Sequence, residues 1–103
     1  MGKQIGYAVV GGGALVERAL LPAFARAGGE ARLAAIVSTD RARGQTLAQE
    51  HRVTSYHLDE FRQCLQRDDV HAVYIALPNS LHCDYAVEAA RAGAHVLVER
   101  PMA

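Results

Sequence analysis

At 103 residues the chain has room for one hydrophobic core and no second independently folding unit. Half of it is apolar and 21% is charged, the make-up of a soluble globular domain rather than a disordered chain. Lys and Arg number 11 against 11 Asp and Glu, so there is no surplus of positive potential to gather nucleic acid or anionic lipid, and a small ligand is the better-suited partner. The strongly apolar N-terminal stretch, residues 5–16, is broken by Gly11, Gly12 and Gly13 and has no small-residue cleavage site, which argues against both a signal peptide and a membrane span. Cys64 and Cys83 fall in different predicted helices with no CxxC spacing, so the expected compartment is the reducing cytoplasm.

Residues 4–10 form a short apolar run that stops at three glycines, as a buried parallel strand feeding a tight turn would. Over residues 15–27, Val16, Leu20, Phe24 and Ala27 make one helical stripe, and Gly28-Gly29 supplies a stop. Pro22 lies inside that stripe and lacks an N–H for the helical ladder, so a bend or break is expected near Leu21. A second apolar run, residues 32–37, is followed by Asp40, placed to cap a helix that reaches to about Glu50.

Residues 54–57 read as a short strand, and Asp59 as the cap of a helix carrying Leu58, Phe61 and Leu65. Residues 72–77 are a continuous run rich in β-formers, ended by Pro78-Asn79. The helix that follows carries Tyr85, Ala86, Ala89 and Ala90 before Gly93. Residues 95–98 make a last strand, closed by Glu99-Arg100-Pro101. Strands alternating with helices at this spacing imply right-handed parallel crossovers. The simplest assembly is a single α/β domain over 1–103: a doubly wound parallel sheet of the Rossmann type, five strands in the order 3-2-1-4-5, with helices on both faces.

Gly11-Gly12-Gly13-Ala14-Leu15-Val16 lies between the first strand and the first helix, where backbone amides and the helix dipole can hold a pyrophosphate. Gly11 permits the tight turn and Gly13 the close approach of phosphate, with Ala14 and Leu15 next to it; the third fingerprint position, normally Gly or Ala, is Val16. A glycine-rich turn after a strand is also common with no ligand. The residue that reads the adenosine ribose belongs about 20 residues further on, where Ser38-Thr39-Asp40-Arg41 stands with no acid at the strand's immediate end. Ser38 and Thr39 with Arg41 or Arg43 could accommodate a 2'-phosphate that an acid would repel, so the cofactor is NAD or NADP with a lean to NADP. The alternative is that Asp40 is simply a helix cap and the arginines are solvated.

Two stretches carry a family resemblance. Ala72-Val73-Tyr74-Ile75-Ala76-Leu77-Pro78-Asn79-Ser80-Leu81-His82 and Ala92-Gly93-Ala94-His95-Val96-Leu97-Val98-Glu99-Arg100-Pro101 resemble the glucose-fructose oxidoreductase and inositol dehydrogenase family, Gfo/Idh/MocA. The glycine turn and Leu21-Pro22-Ala23-Phe24 agree with it, so the resemblance spans the chain and accounts for the mid-helix proline. It implies that Leu77, Pro78, Asn79 and His82, with Glu99 and Arg100, line the nicotinamide side of the cofactor groove. From the residues alone, Asn79 or Ser80 reads equally well as a helix cap, and His82 as a first-turn residue bonded to a carbonyl.

In that family the closing motif is Glu-Lys-Pro, and the resemblance implies a lysine near nicotinamide and substrate that polarises or protonates the reacting oxygen. Here the position is Arg100. An arginine keeps the charge and can clamp an oxyanion, but stays protonated and serves poorly as a proton shuttle. The resemblance further implies a C-terminal substrate domain that these 103 residues do not contain, and a reaction that moves hydride between nicotinamide and a sugar-like or polyol carbon.

His51, His57, His71, His82 and His95 show no HxxxH or HExxH spacing, so no metal is expected. Asp59-Glu60 and Asp68-Asp69 flank a predicted helix, where capping and solvation explain them without chemistry. Two other classes stay open: a stand-alone dinucleotide-binding module without turnover, and a related domain for another nucleotide or coenzyme A, since a glycine turn at a helix N-terminus is a general anion site. Exposed sheet edges would permit self-association.

Overall fold

The computed structural model describes residues 5–11, 21–25, 31–77 and 79–98. In chain order they form β1 (Ile5–Gly11), α1 (Leu21–Ala25), β2 (Ala31–Ser38), α2 (Arg41–His51), β3 (Thr54–His57), a 3-10 turn (Leu58–Glu60) running into α3 (Phe61–Leu65), β4 (Ala72–Ala76), α4 (Asn79–Arg91) and β5 (His95–Val98). The five strands make one sheet in the order β3-β2-β1-β4-β5, every pair parallel, as the alternation of strands and helices predicts. Pro22 is the second residue of α1, which begins at Leu21; the residues before it, on which the expected bend or break depends, lie outside the described residues, as do the stop at Gly28-Gly29 and Val16, Leu20 and Ala27 of the stripe.

Both faces of the sheet are covered. Ala8, Val10, Val37, Val73 and Ile75 point to one side and pack with Phe61, Cys64 and Ala89 of α3 and α4. Val9, Leu33 and Ile36 point to the other side and pack with Leu21 of α1 and Leu47 and Ala48 of α2. Ala8, Val9 and Val10 are all fully buried, which is why the run reads as continuously apolar instead of alternating. Aromatic pairs reinforce each side: Tyr7 against Phe24 at 5.4 Å, and Phe61 edge-on to Tyr85 at 5.3 Å.

One irregularity sets the phase of β2. Tyr7 pairs with Leu33, but Ala8 pairs with Ala35, so Ala34 is an extra residue. Ala34 and Ala35 consequently both belong to the α3–α4 side. This bulge lets Leu33 and Ile36, three apart, share the opposite face.

The helix starts divide between expectation and correction. Asp40 caps α2 as predicted, its Oδ1 accepting from the amide of Arg43 at 3.1 Å. Asp59 is not the next cap: His57 is. The His57 ring accepts from the Asp59 amide while Glu60 Oε1 accepts from the His57 amide at 2.8 Å, a capping box with histidine in the place of Ser or Thr. Asn79 and Ser80 are the first two residues of α4.

At the amino edge the sheet is closed by its own polar groups. The Gly6 amide donates to Nδ1 of His71 at 2.9 Å, and the His71 amide donates to the Gly6 carbonyl at 2.8 Å. Asp69 accepts twice from Arg67, at 2.8 and 2.7 Å, and once from Arg32 at 3.3 Å. The Arg67 hydrogen bonds, helped by Arg32, hold the Asp69 carboxyl below its ordinary value of 3.8. Cys64, on the buried face of α3, is a free thiol pushed up to about 11 by that burial.

Two outcomes follow from this packing. α2 crosses β2 at Gly44, where an added Cβ would collide with Oγ of Ser38 and lie 3.3 Å from Oγ of Ser55. Gly44→Ala should therefore cost about 1–3 kcal/mol in urea unfolding, outweighing the roughly 1 kcal/mol that Ala gains over Gly in a helix. The cost should shrink in a Ser38→Ala background, and an equal cost in both backgrounds would refute the contact. Asp69→Asn should lower stability by about 1 kcal/mol at neutral pH. Because folding depresses the Asp69 pKa, the difference from wild type should be full above pH 3.8 and vanish as pH falls through the lower folded value. A pH-independent difference would show that the carboxylate is not the source.

Candidate cofactor-binding site

The chain runs from β1 outward to β2 and β3, then crosses back to β4 and β5, so the strand order reverses beside β1. The helices that follow β1 and β4 pack on opposite faces of the sheet, α1 through Leu21 and α4 through Ala89, the arrangement that places ligands at the carboxyl edge of open α/β sheets. Gly11 ends β1 at that point, directly paired with Ala76 at the end of β4. Its φ of +115° is a left-handed conformation, and a Cβ on it would collide with the Ala76 carbonyl oxygen and lie 3.4 Å from Cδ2 of Leu77. Glycine is thus required twice over, by backbone conformation and by the closeness of the next strand. Leu77 sits in the bend after β4, half-buried and next to Gly11.

On the other side of β1, the end of β2 supplies Ser38 and Thr39. Ser38 is 6% exposed, and its hydroxyl donates to the Asp40 carbonyl at 2.8 Å. Its Oγ also lies under Gly44 of α2, so in this structure it shapes the turn and faces inward. Thr39 and Arg43 are exposed, Arg43 in the first turn of α2 with its amide on Asp40. Asp40, the acid nearest the end of β2, is committed to the helix cap. Arg41 is turned to the β3 side, 3.1 Å from Glu60 Oε1. The His57 amide, and then Arg41, hold the Glu60 carboxyl below its ordinary value of 4.5.

The structure thus brings Gly11, Leu77 and the start of α4 together on one side of the switch point, with Thr39 and Arg43 on the other. Asn79 and His82 are the first and fourth residues of α4. Gly13, Ala14, Leu15, Pro78, Glu99 and Arg100 lie outside the described residues. Sequence reasoning missed His57, whose ring Nε2 lies 3.2 Å from the Thr39 carbonyl. Its signal was Glu60 three residues on, the second half of a capping box. Among the described residues no cluster of His, Cys, Asp and Glu could hold a metal, and no helix is long and apolar enough to cross a membrane.

The donor set suits a dinucleotide: a side-chain-free strand end at a switch point, beside a second strand end with hydroxyl and guanidinium groups and its nearest acid, Asp40, engaged as a helix cap. Comparison with known proteins agrees. The model of an oxidoreductase family with an NAD-binding Rossmann fold, Gfo/Idh/MocA, matches residues 5–103. This chain belongs to that family. A D-xylose 1-dehydrogenase (NADP(+)) of Haloferax volcanii is 35% identical over 93% of the chain, which spans 29% of that relative's length. An aldose-aldose oxidoreductase of Caulobacter crescentus, crystallised with glycerol, superposes with a TM-score of 0.88 at 36% identity, over 98% of this chain and 31% of that one. A 3-ketoreductase of Actinomadura kijaniata, crystallised with NADP and TDP-benzene, superposes at 0.84 with 33% identity, over 96% and 30%. The chain therefore corresponds to the NAD-binding Rossmann domain of the Gfo/Idh/MocA oxidoreductases and to under a third of the length of these relatives.

The strained, crowded position of Gly11 yields a direct check. Gly11→Val should destabilise the domain by about 3 kcal/mol, the sum of a left-handed φ forced on a branched residue and a clash with backbone that cannot rotate away. Denaturant unfolding measures it, and a loss under about 0.5 kcal/mol, the scale of an ordinary surface change, would mean that β1 does not end against Ala76.

Proposed function

We propose that this chain binds NADP(H) across the carboxyl edge of its sheet, as the cofactor half of an oxidoreductase acting on a sugar-like or polyol substrate. The observation that carries the reading is the switch point itself: Gly11 ends β1 without a side chain, against the end of β4 on one edge and beside β2 on the other. The nicotinamide, when bound, accepts or donates the hydride. The chain's own residues bind and orient it. Gly11 and Gly13, with the amides of Ala14 and Leu15, take the pyrophosphate; Ser38 shapes the turn that presents Thr39 and Arg43 to the ribose; Leu77, Pro78, Asn79 and His82, followed by Glu99, line the nicotinamide side.

The lean to NADP rests on charge. The acid nearest the end of β2, Asp40, accepts from the Arg43 amide as a helix cap, while Arg43 sits one turn into α2. NADP in relatives such as the xylose dehydrogenase and the ketoreductase supports the same choice. At the family's lysine position, Arg100 supplies electrostatic help to the reacting oxygen without relaying its proton. Substrate contacts come from a separate α/β domain, and the compartment is the cytoplasm. A second reading, a non-catalytic dinucleotide-binding module, is favoured by one observation, the arginine in place of that lysine. Exposed strand edges, with Leu97 of β5 at 47% exposure, suit self-association.

Calorimetric titration with NAD, NADH, NADP and NADPH at one salt concentration tests the proposal. Saturable binding is expected, with NADPH preferred over NADH by about tenfold, the scale of one charge-assisted contact to the 2'-phosphate. Arg43→Ala should remove most of that preference while leaving NADH affinity within about twofold. Absence of saturable binding by all four would overturn the reading.

A further inference from the structure

The connection between β2 and α2, which the proposed function assigns to the adenosine ribose, is held from outside by a residue no part of that reading uses. His57 ends β3, paired with Ser38 at the end of β2. Its Nε2 lies 3.2 Å from the carbonyl oxygen of Thr39. A backbone carbonyl can only accept, so in this bond Nε2 is the donor and the ring is the tautomer that carries its proton there. On the far side of the ring, Nδ1 lies 3.2 Å from the Asp59 amide, which donates to it, and 3.3 Å from the Asp59 carboxylate.

The mount of the ring is fixed as well. The His57 amide donates to Glu60 Oε1 at 2.8 Å, and the same oxygen accepts from Arg41 Nη1 at 3.1 Å. Two links therefore join the β2–α2 connection to the β3–α3 connection: ring to Thr39, and Arg41 to Glu60. Inside the first connection, the Ser38 hydroxyl donates to the Asp40 carbonyl at 2.8 Å and the Arg43 amide donates to Asp40 Oδ1 at 3.1 Å. A segment bonded at all these points has little conformational freedom left to lose when a ligand arrives.

We propose that His57 is a positioning residue for the cofactor: through its Nε2–H bond to Thr39 it holds Thr39 and the first turn of α2 in the geometry that distinguishes a phosphorylated from an unphosphorylated adenosine ribose. This rests on the dinucleotide reading above. Removing the ring leaves Thr39 tethered only through its chain neighbours. The ordering cost then falls on binding, and falls more heavily on the 2'-phosphorylated cofactor, whose extra group meets this segment.

The test is titration of the full chain with NADPH and NADH, in wild type, His57→Asn, His57→Gln and Asp69→Asn, each with its thermal midpoint. Asn keeps an acceptor for the Asp59 amide and is a good cap residue, but does not reach Thr39; Gln restores an N–H at the reach of Nε2. His57→Asn is expected to weaken NADPH binding about five- to tenfold and to narrow the NADPH over NADH ratio, the effect of one lost hydrogen bond with its ordering. His57→Gln should recover most of it. Asp69→Asn, which loses stability at the opposite edge of the sheet, should leave both affinities unchanged. An unaltered ratio in His57→Asn, or an equal fall in Asp69→Asn, would overturn the proposal while leaving dinucleotide binding intact. No saturable binding by wild type would overturn both.

Discussion

Strand β1 is paired on both edges and covered on both faces, and its burial sets terms for whatever is attached to it. Ala8, Val9 and Val10 have no contact with solvent, so they can only be apolar and must fit helices on two sides. The same crowding reaches the strand's end, where Gly11 pairs with Ala76 and has no room for a side chain. Glycine at this position, at the centre of the sheet's carboxyl edge, is thus a consequence of the packing.

The two edges of the sheet are built differently. At the amino edge the polar groups satisfy one another: His71 with Gly6, and Asp69 between Arg67 and Arg32. The Asp69 carboxylate is paired with two arginines, which is a stabilising arrangement. At the carboxyl edge, the bonds around Thr39 and Asp40 fix the backbone while leaving Thr39 and Arg43 facing solvent. Rigid backbone with outward polar side chains is the arrangement that lets a small ligand bind without a large ordering cost.

Membership of the Gfo/Idh/MocA oxidoreductases and the departure at Arg100 bear on different steps. Cofactor binding draws on strand ends and loops at the switch point. On the proposed reading, proton transfer would need a side chain with a tunable pKa, which arginine does not have. A domain can therefore keep the first capacity while altering the second.

Element type and order were legible because parallel strands buried on both faces leave long apolar runs, and because Pro, Gly and capping residues punctuate them. Strands β3 and β5 fall where the residue pattern places them, and Asp40 caps α2 as its position suggests. The glycine at the end of β1 and the absence of an acid at the immediate end of β2 were equally local facts. Three features depended on neighbours distant in the chain. The bulge at Ala34 reflects the register that β2 adopts against β1. The inward turn of Ser38 reflects how closely α2 approaches at Gly44. The bond from the His57 ring to Thr39 reflects the pairing of the ends of β2 and β3, Ser38 against His57. Sequence determines such things only through packing, because a side chain's partner is set by which strand lies beside it, and that is decided when the whole sheet closes.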